Sequence, residues 1–490
     1  MSDGARRYLA IDLGASSGRA VVGTLDGAVM QMREIHRFPT PLLEQDGHLF
    51  WDIEAMWADI QIGVSKALED GQPLRSISVD SWAVDYVPLD LHGAALRQPY
   101  SYRDARTTGR METAIELAGG AAALYDLTGI QFLSLNTLPQ VVADIRDEPD
   151  VVWETATRLL IAEYFLYRLS GVPVAEATNA STTQLVAVRA GRWATDLMAA
   201  IGDDERRWPP IVPAGTALGP LLTDLLPNDH ADAPTVLATC AHDTAAAVAA
   251  VPASDDRGWA FISSGTWSLV GVELGAPVLT AEAREAGFTN EVGLDASIRF
   301  LKNRAGMWVL EECRREWQAE GDTRSYAELV AEAAESAPLA VTIDLNAPQF
   351  ASRGDMVRKI EAACLAQDVA PPASRGAMVR LILESLAASH ADALTQLEAV
   401  TGRGIDDVHI VGGGALNDLL NQLTADRTGR RVLAGPEEAT VLGNLLVQAR
   451  TLGDLPAGIT VREAARRSSR IREFTPRHAA PAQGAAASAH

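Results

Sequence analysis

Cysteine is scarce. The 490 residues contain 3, Cys240, Cys313 and Cys364, and none belongs to a CxxC pair. That scarcity argues against a disulfide-stapled secreted fold or a thiolate zinc site and for a reducing, cytoplasmic setting. HExxH is also absent. Only Lys66, Lys302 and Lys359 supply lysine, and none lies in GxxxxGK[ST], so the P-loop route to a nucleotide is closed. Gly412-Gly413-Gly414 is followed by Asn417 where a dinucleotide fingerprint needs its last glycine, which disfavours a Rossmann dehydrogenase. No apolar run approaches the ~20 residues of a membrane helix. The apolar stretch after Arg6 and Arg7 is cut by Asp12, against a signal peptide. Positive charge is in deficit too, with Lys+Arg 42 against Asp+Glu 64 and a net charge of −22. A field of that sign repels nucleic acid, and a nucleotide should arrive with a divalent cation and meet local positive dipoles.

What is present is ordinary globular composition, 47% hydrophobic and 22% charged, on a chain long enough for two to four domains at roughly 100–200 residues each. Tyr8 to Gly27 reads as strand, small polar turn, strand and an Asp26-Gly27 hairpin signal, with Val29–Phe38 as a third strand. Ile53, Met56, Trp57, Ile60, Val64 and Leu68 recur at helical spacing behind a capping Asp52, and SISVD at Ser76–Asp80 is a strand. This order implies an α/β layer with a mixed sheet. Further on, Arg158–Leu169 reads as a buried helix, Thr178–Val188 as loop passing into strand, and Pro209–Pro220 as a connection without elements. Trp259–Gly271 repeats the opening layout about 250 residues downstream, which suggests two related halves. A long helix from about Ala377 to Thr401, the strand DVHIVGGG, a helix from Asn417 and a Gly443-headed apolar segment complete the second half. The low-complexity tail, 478–490, reads as disordered.

Two turns carry chemistry. Gly14–Gly18 and Ser263–Thr266 each place small residues where consecutive amides form an anion-binding concavity. Each by itself is equally a tight hairpin turn; two in corresponding positions favour phosphate. Asp12, at a strand end before the first turn, suits a Mg2+ held through water, or a turn cap. Asp243 precedes the helical TAAAVAA run and reads as an N-cap or as a general base, ionised at neutral pH if it titrates near the ordinary value of about 4. Trp82 and Tyr102 are candidate aromatic platforms for a ligand or core aromatics. Asp80, Asp85, Arg103 and Asp104 cluster near them in sequence, as pocket or as ion-pair network.

Together these segments resemble the FGGY family of carbohydrate kinases, from about Tyr8 to about Phe474. The resemblance rests on AIDLGASSGR at Ala10–Arg19, EIHRFP at Glu34–Pro39, SVDSWAVDYVPLD at Ser78–Asp90 and YRDARTTG at Tyr102–Gly109. It continues through AHDTAAAV at Ala241–Val248, SSGTWSL at Ser263–Leu269, LKNRAGMW at Leu301–Trp308 and VGGGALNDLLNQLTAD at Val411–Asp426. It implies an α/β fold of two ribonuclease-H-like domains of the actin/Hsp70 ATPase type around a central cleft. The implied domains are 1–251, mainly sugar-binding, and 252–477, mainly nucleotide-binding.

The implied reaction transfers the γ-phosphoryl group of ATP, with Mg2+, to the 1-hydroxyl of L-rhamnulose. Carried over by motif, Ala15, Ser16, Ser17, Gly18 and Arg19 border the ATP phosphates, Thr266 holds them, and Gly413 faces the adenosine. Asp243 is the implied proton acceptor, with Trp82, Ala83, His242, Thr244 and Asn303 near the ketose, and Asp12 on the metal through water. Ala83 stands where many relatives have glycine, and Glu311 where a relative has a nucleotide-contacting glutamine; a charge there sits awkwardly near ATP unless it turns outward, and that role is not carried over. A kinase for L-fuculose or a pentulose, or a non-catalytic actin/Hsp70-like ATP switch, fits the same motifs less narrowly. The partners implied are a small ketose and MgATP, with neither nucleic acid nor membrane.

Overall fold

A computed structural model describes residues 6–69, 73–227, 232–254, 257–350 and 352–477. The tail expected to be disordered, 478–490, lies outside them. The chain divides into two compact units. Unit 1 is Met1–Pro252, Glu273–Leu301 and Glu438–Ser469; unit 2 is Ala253–Val272, Lys302–Glu437 and Arg470–His490.

Unit 1 is built on a six-stranded mixed sheet. Strands β1 (Arg6–Leu13), β2 (Ser17–Asp26) and β3 (Val29–Pro39) form the antiparallel meander that the hairpin signals require. Strands β4 (Leu74–Ser81), β5 (Thr216–Pro220) and β6 (Thr235–Ala238) extend it in the order β5-β6-β4-β1-β2-β3. Strand β4 runs parallel to both β1 and β6, so the carboxyl ends of three strands lie side by side. Helix α1 (Ile53–Glu69) buries Ile53, Met56, Trp57, Ile60, Val64 and Leu68, the stripe its periodicity marks, on the sheet core of Leu9, Ile11 and Val79. The Asp52 carboxylate accepts from the Ala55 amide at 3.0 Å, capping it.

Three readings of local sequence change. Thr157–Leu160 is a strand paired with Tyr86–Leu89, and helix α2 starts only at Ile161, ending at Ser170. Arg158 is drawn out of the helical pattern by its buried ion pair with Asp203, 2.8 Å away. Thr178–Val188 begins in two short helical turns, 177–180 and 181–183, because Glu176 caps the Thr178 amide and the hydroxyls of Ser181, Thr182 and Thr183 bond back to carbonyls three residues earlier. The Pro209–Pro220 connection contains the short strand Ile211–Val212, paired with Ala175–Glu176, and β5 at the sheet edge. Helix α3 (Asp243–Ala249) follows β6, and helix α4 (Ala439–Thr451) packs against it, with Leu442, Leu445 and Leu446 meeting Ala245, Ala246 and Ala249 in one apolar cluster.

Unit 2 repeats the plan. Strands β7 (Trp259–Ser264) and β8 (Trp267–Leu274) form the expected hairpin. Strand β9 (Thr289–Val292) pairs antiparallel with β10 (Ile298–Ala305); β9 and the first residues of β10 fall in unit 1 and the rest of β10 in unit 2. Strands β11 (Asp407–Val411), β12 (Arg431–Ala434) and β13 (Arg472–Phe474) complete the seven-stranded order β9-β10-β8-β7-β11-β12-β13, with β11 parallel to β7 and to β12. Both units thus place an antiparallel hairpin beside parallel strands. The long helix is Arg375–Thr401, and Asn417 caps rather than begins the helix Asp418–Thr428, its side chain accepting from the Leu420 amide.

Candidate active site

The tight β1–β2 turn in unit 1 is closed by Gly14 donating to the Ser17 carbonyl at 3.0 Å, while the Thr40 hydroxyl donates to the Gly14 carbonyl at 2.9 Å. This leaves Ser16 exposed at the tip, with Ala15 and Ser17 partly exposed and Gly18 buried. At the strand end, Asp12 is engaged by a cation the sequence reading assigned elsewhere. Arg19 donates to its Oδ2 through Nε at 2.8 Å and also pairs with Glu438 at 2.5 Å. Cross-strand register puts Asp12 directly opposite Arg19 on β2 and opposite Asp80 on β4. Asp80 is fully buried and accepts from Asn444 Nδ2 at 2.6 Å. Burial and the Asp12 charge raise its carboxyl well above the usual range.

The aligned strand ends bring the sugar-side candidates together. Ser81 donates to the Ala241 carbonyl and forms a parallel bridge with His242, and the Trp82 amide donates to the Leu13 carbonyl. Trp82 is mostly buried, with its indole N–H on Asp85 at 3.0 Å. Asp85 is a hub. It also accepts from Trp51 Nε1 at 2.6 Å, the Tyr102 amide at 3.1 Å and Gln140 Nε2 at 2.9 Å. Burial still pushes its carboxyl up to about 6, although these donors pull the other way. The rings of Trp51 and Trp82 lie 4.4 Å apart. Ala83 precedes Val84, whose φ of +73° is a strained conformation for a β-branched residue, held by Thr137 donating to its carbonyl at 2.7 Å. Asp104 leaves this group for a structural role, accepting from the Leu49 and Arg106 amides.

Asp243 is the first residue of α3. Its Oδ1 accepts from the Thr244 amide and from the Thr244 hydroxyl at 3.0 Å, and His242 Nε2 lies 3.3 Å away. Oδ2 takes no hydrogen bond among the described residues, which leaves it open to accept one. Burial, then the Asp12 charge, pushes this carboxyl up to about 7, so the ordinary value of about 4 does not hold. A carboxylate poised near neutrality is suited to general-base work. His242 is mostly buried, and burial with the Arg299 cation holds its pKa well below the usual value.

In unit 2, Gly265 and Thr266 are exposed at the β7–β8 turn. Their carbonyls accept from the Met307 amide at 2.9 Å and the Trp308 amide at 3.2 Å, which braces the turn. In the loop after β11, Gly413 is exposed, and a Cβ there would meet nothing within 4 Å. Gly414 is the opposite case, since a Cβ would lie 2.0 Å from Ser264 Oγ. That hydroxyl is buried and unpaired. Asn303 is half-buried on β10. Glu311 turns to Arg314, 2.7 Å away, and its side chain is about half exposed.

The sequence reading missed Arg299, Glu291, Glu438, Trp51 and Gln140. Only Trp51 carried a signal, as an isolated tryptophan; the others act across long stretches of chain. Among the described residues there is no cluster of three metal-ligating side chains, and the three cysteines are buried and free. No described helix is long and apolar enough to cross a membrane.

Comparison with known proteins agrees with this architecture. Rhamnulokinase of Bacteroides thetaiotaomicron is 40% identical over 472 residues, covering 96% of each chain. Rhamnulokinase of Bacillus subtilis is 40% identical over 470 residues, covering 96% of this chain and 95% of its own. The crystal structure of gluconate kinase from Lactobacillus acidophilus superposes with a TM-score of 0.77 over 96% of this chain and 94% of its own, at 15% identity, a likeness of fold alone. Residues 7–250 match the N-terminal domain, and 260–452 the C-terminal domain, of the FGGY family of carbohydrate kinases. With both family domains matched in order on a chain whose two sheets repeat one plan, the protein belongs to the FGGY family of carbohydrate kinases.

Proposed function

We propose that the protein transfers the γ-phosphoryl group of ATP to the 1-hydroxyl of L-rhamnulose, giving L-rhamnulose 1-phosphate and ADP in the cytoplasm. The observation that carries the chemistry is the Asp243 carboxylate, with Oδ1 held by the Thr244 amide and hydroxyl, Oδ2 open and its pKa pushed up to about 7. The choice of sugar is supported by the two rhamnulokinase relatives at 40% identity.

Asp243 Oδ2 accepts the proton of the 1-hydroxyl as that oxygen attacks phosphorus. The transition state is loose, so rate comes mainly from positioning and charge neutralisation. Trp82, Ala83, His242, Thr244 and Asn303 are assigned to the ketose. In unit 1, Ala15, Ser16, Ser17, Gly18 and Arg19 are assigned to the phosphates; in unit 2, Thr266 is assigned to the phosphates and Gly413 to the adenosine. The open Gly413 and the exposed Ser16 and Thr266 fit a triphosphate approaching main chain closely. Mg2+ fits only through water: Asp12 already pairs with Arg19, so one carboxylate, waters and phosphate oxygens would hold it. When bound, it neutralises phosphate charge. Residues 1–251 and 252–477 are proposed as the sugar and nucleotide domains.

ADP release is to be measured with L-rhamnulose, L-fuculose and D-xylulose, each with and without Mg2+. The expected result is the highest kcat/KM for L-rhamnulose and dependence on the cation. Preference for another ketose would overturn the sugar assignment, and nucleotide binding with no sugar-stimulated turnover would overturn the kinase reading.

A further inference from the structure

Behind Asp243 stands a buried line of side chains that the proposed reaction leaves without a role. Arg299, on β10, has a fully buried side chain. Its Nη2 bonds His242 Nδ1 at 3.1 Å and, with Nε, donates to the Val292 carbonyl at 3.1 and 3.2 Å. Its Nη1 pairs with Glu291 at 3.1 Å. Glu291 and Val292 lie on β9, hairpin partner of β10, and the Val292 amide is held in turn by the Ser181 hydroxyl at 2.9 Å. All these residues belong to unit 1.

A guanidinium only donates. His242 Nδ1 therefore accepts, and the single proton of the neutral ring resides on Nε2, the atom 3.3 Å from Asp243 Oδ1. The neutral state agrees with the downward shift of His242. Without Arg299 the ring would lie between two carboxylates, since Glu291 Oε2 is 3.6 Å from Nδ1. That setting favours imidazolium or the opposite tautomer. Burying an arginine beside one carboxylate is a costly way to pack a hairpin, whereas it is a direct way to fix a tautomer.

We propose that Arg299, braced by Glu291 and the Val292 carbonyl, is a positioning residue that holds His242 as the Nε2–H tautomer, so that a proton and not a lone pair faces Asp243 Oδ1, the oxygen Thr244 holds, and Oδ2 is left to take the substrate proton. This rests on Asp243 being the base, which Asp243→Asn tests separately: an active Asn variant removes the base, whatever Arg299 does.

The experiment is 15N NMR of histidine-labelled full-length protein near pH 7, with the His242 ring signals identified by their loss in His242→Asn. Wild type is expected to show Nε2 protonated and Nδ1 bare; Nδ1–H or imidazolium there overturns the proposal without any further variant. Arg299→Met is expected to change that ring pattern and to lower kcat on the order of 10²-fold, the typical effect of a catalytic group misplaced by about 1 Å, with KM for ATP near native. Arg299→Lys retains a donor and should restore the Nε2–H pattern and part of kcat. Equal losses of thermal stability in both variants with an unchanged ring pattern would assign Arg299 to packing and overturn the proposal. If Arg299→Met does not fold, Glu291→Gln with Arg299→Lys makes the same comparison.

Discussion

Gly443→Ala is the most informative single perturbation. Gly443 lies in the interior of α4, where alanine is normally preferred by about 1 kcal/mol. Its position is explained by what it touches: a Cβ there would lie 1.9 Å from the Ala246 carbonyl oxygen and 2.7 Å from its carbon. Real Cβ contacts do not fall under 3.0 Å, so α3 and α4 must part by about 1.1 Å or more. Ala246 is three residues from Asp243 on the same short helix, so the displacement reaches the proposed base. Overpacking of this kind costs roughly 1–3 kcal/mol, and a misplacement of about 1 Å costs on the order of 10² in rate. The expected outcome is a folded protein with a lowered Tm and kcat reduced about a hundredfold. Nucleotide affinity, measured by calorimetry, should stay near native, because Thr266 and Gly413 belong to unit 2. Native kcat in a folded Ala variant, or a loss matching only the unfolded fraction at assay temperature, would refute the idea that this helix contact sets the position of Asp243.

Further outcomes follow from the same geometry. Asp243→Asn should lower sugar phosphorylation by roughly 10²–10⁴ while leaving ATP binding nearly intact; because only the ionised carboxylate accepts a proton, wild-type kcat/KM should rise with pH through about 7. Gly414→Ala, with its Cβ 2.0 Å from Ser264 Oγ, should weaken nucleotide binding by calorimetry and leave the His242 NMR pattern unchanged. Asp85→Asn should disturb the Trp51–Trp82 pair and raise KM for the ketose more than KM for ATP in initial-rate assays. Glu163 is buried beside Glu176, and burial, then the Glu176 charge, pushes it up to about 8 from an ordinary 4.5. A carboxyl raised on folding favours the folded state fully below pH 4.5 and loses that contribution as pH rises to about 8. Glu163→Gln should thus remove about 1.4 kcal/mol per pH unit of that decline, read by denaturant titration between pH 5 and 8.

The sequence by itself determined whatever depends on neighbours along the chain. The β1–β2 and β7–β8 turns, the capped stripe of α1 and the placement of Asp243 at a helix start are settled by turn chemistry and periodicity within a few residues. The motifs shared with the family carried the remaining site assignments, and the Gly443-headed segment was visible without its reason. Tertiary structure alone decided what depends on burial and on partners brought from afar. Arg158 left its helical pattern for Asp203, Arg19 went to Asp12 and Glu438, Asp85 gathered Trp51 and Gln140, and Arg299 reached His242 from 57 residues downstream. The shift of Asp243 from an ordinary acid to one poised near neutrality belongs here too, because desolvation and the Asp12 charge arise only once the strands are paired. Local conformation is a property of adjacent residues; the electrostatic state of a side chain is a property of everything packed around it.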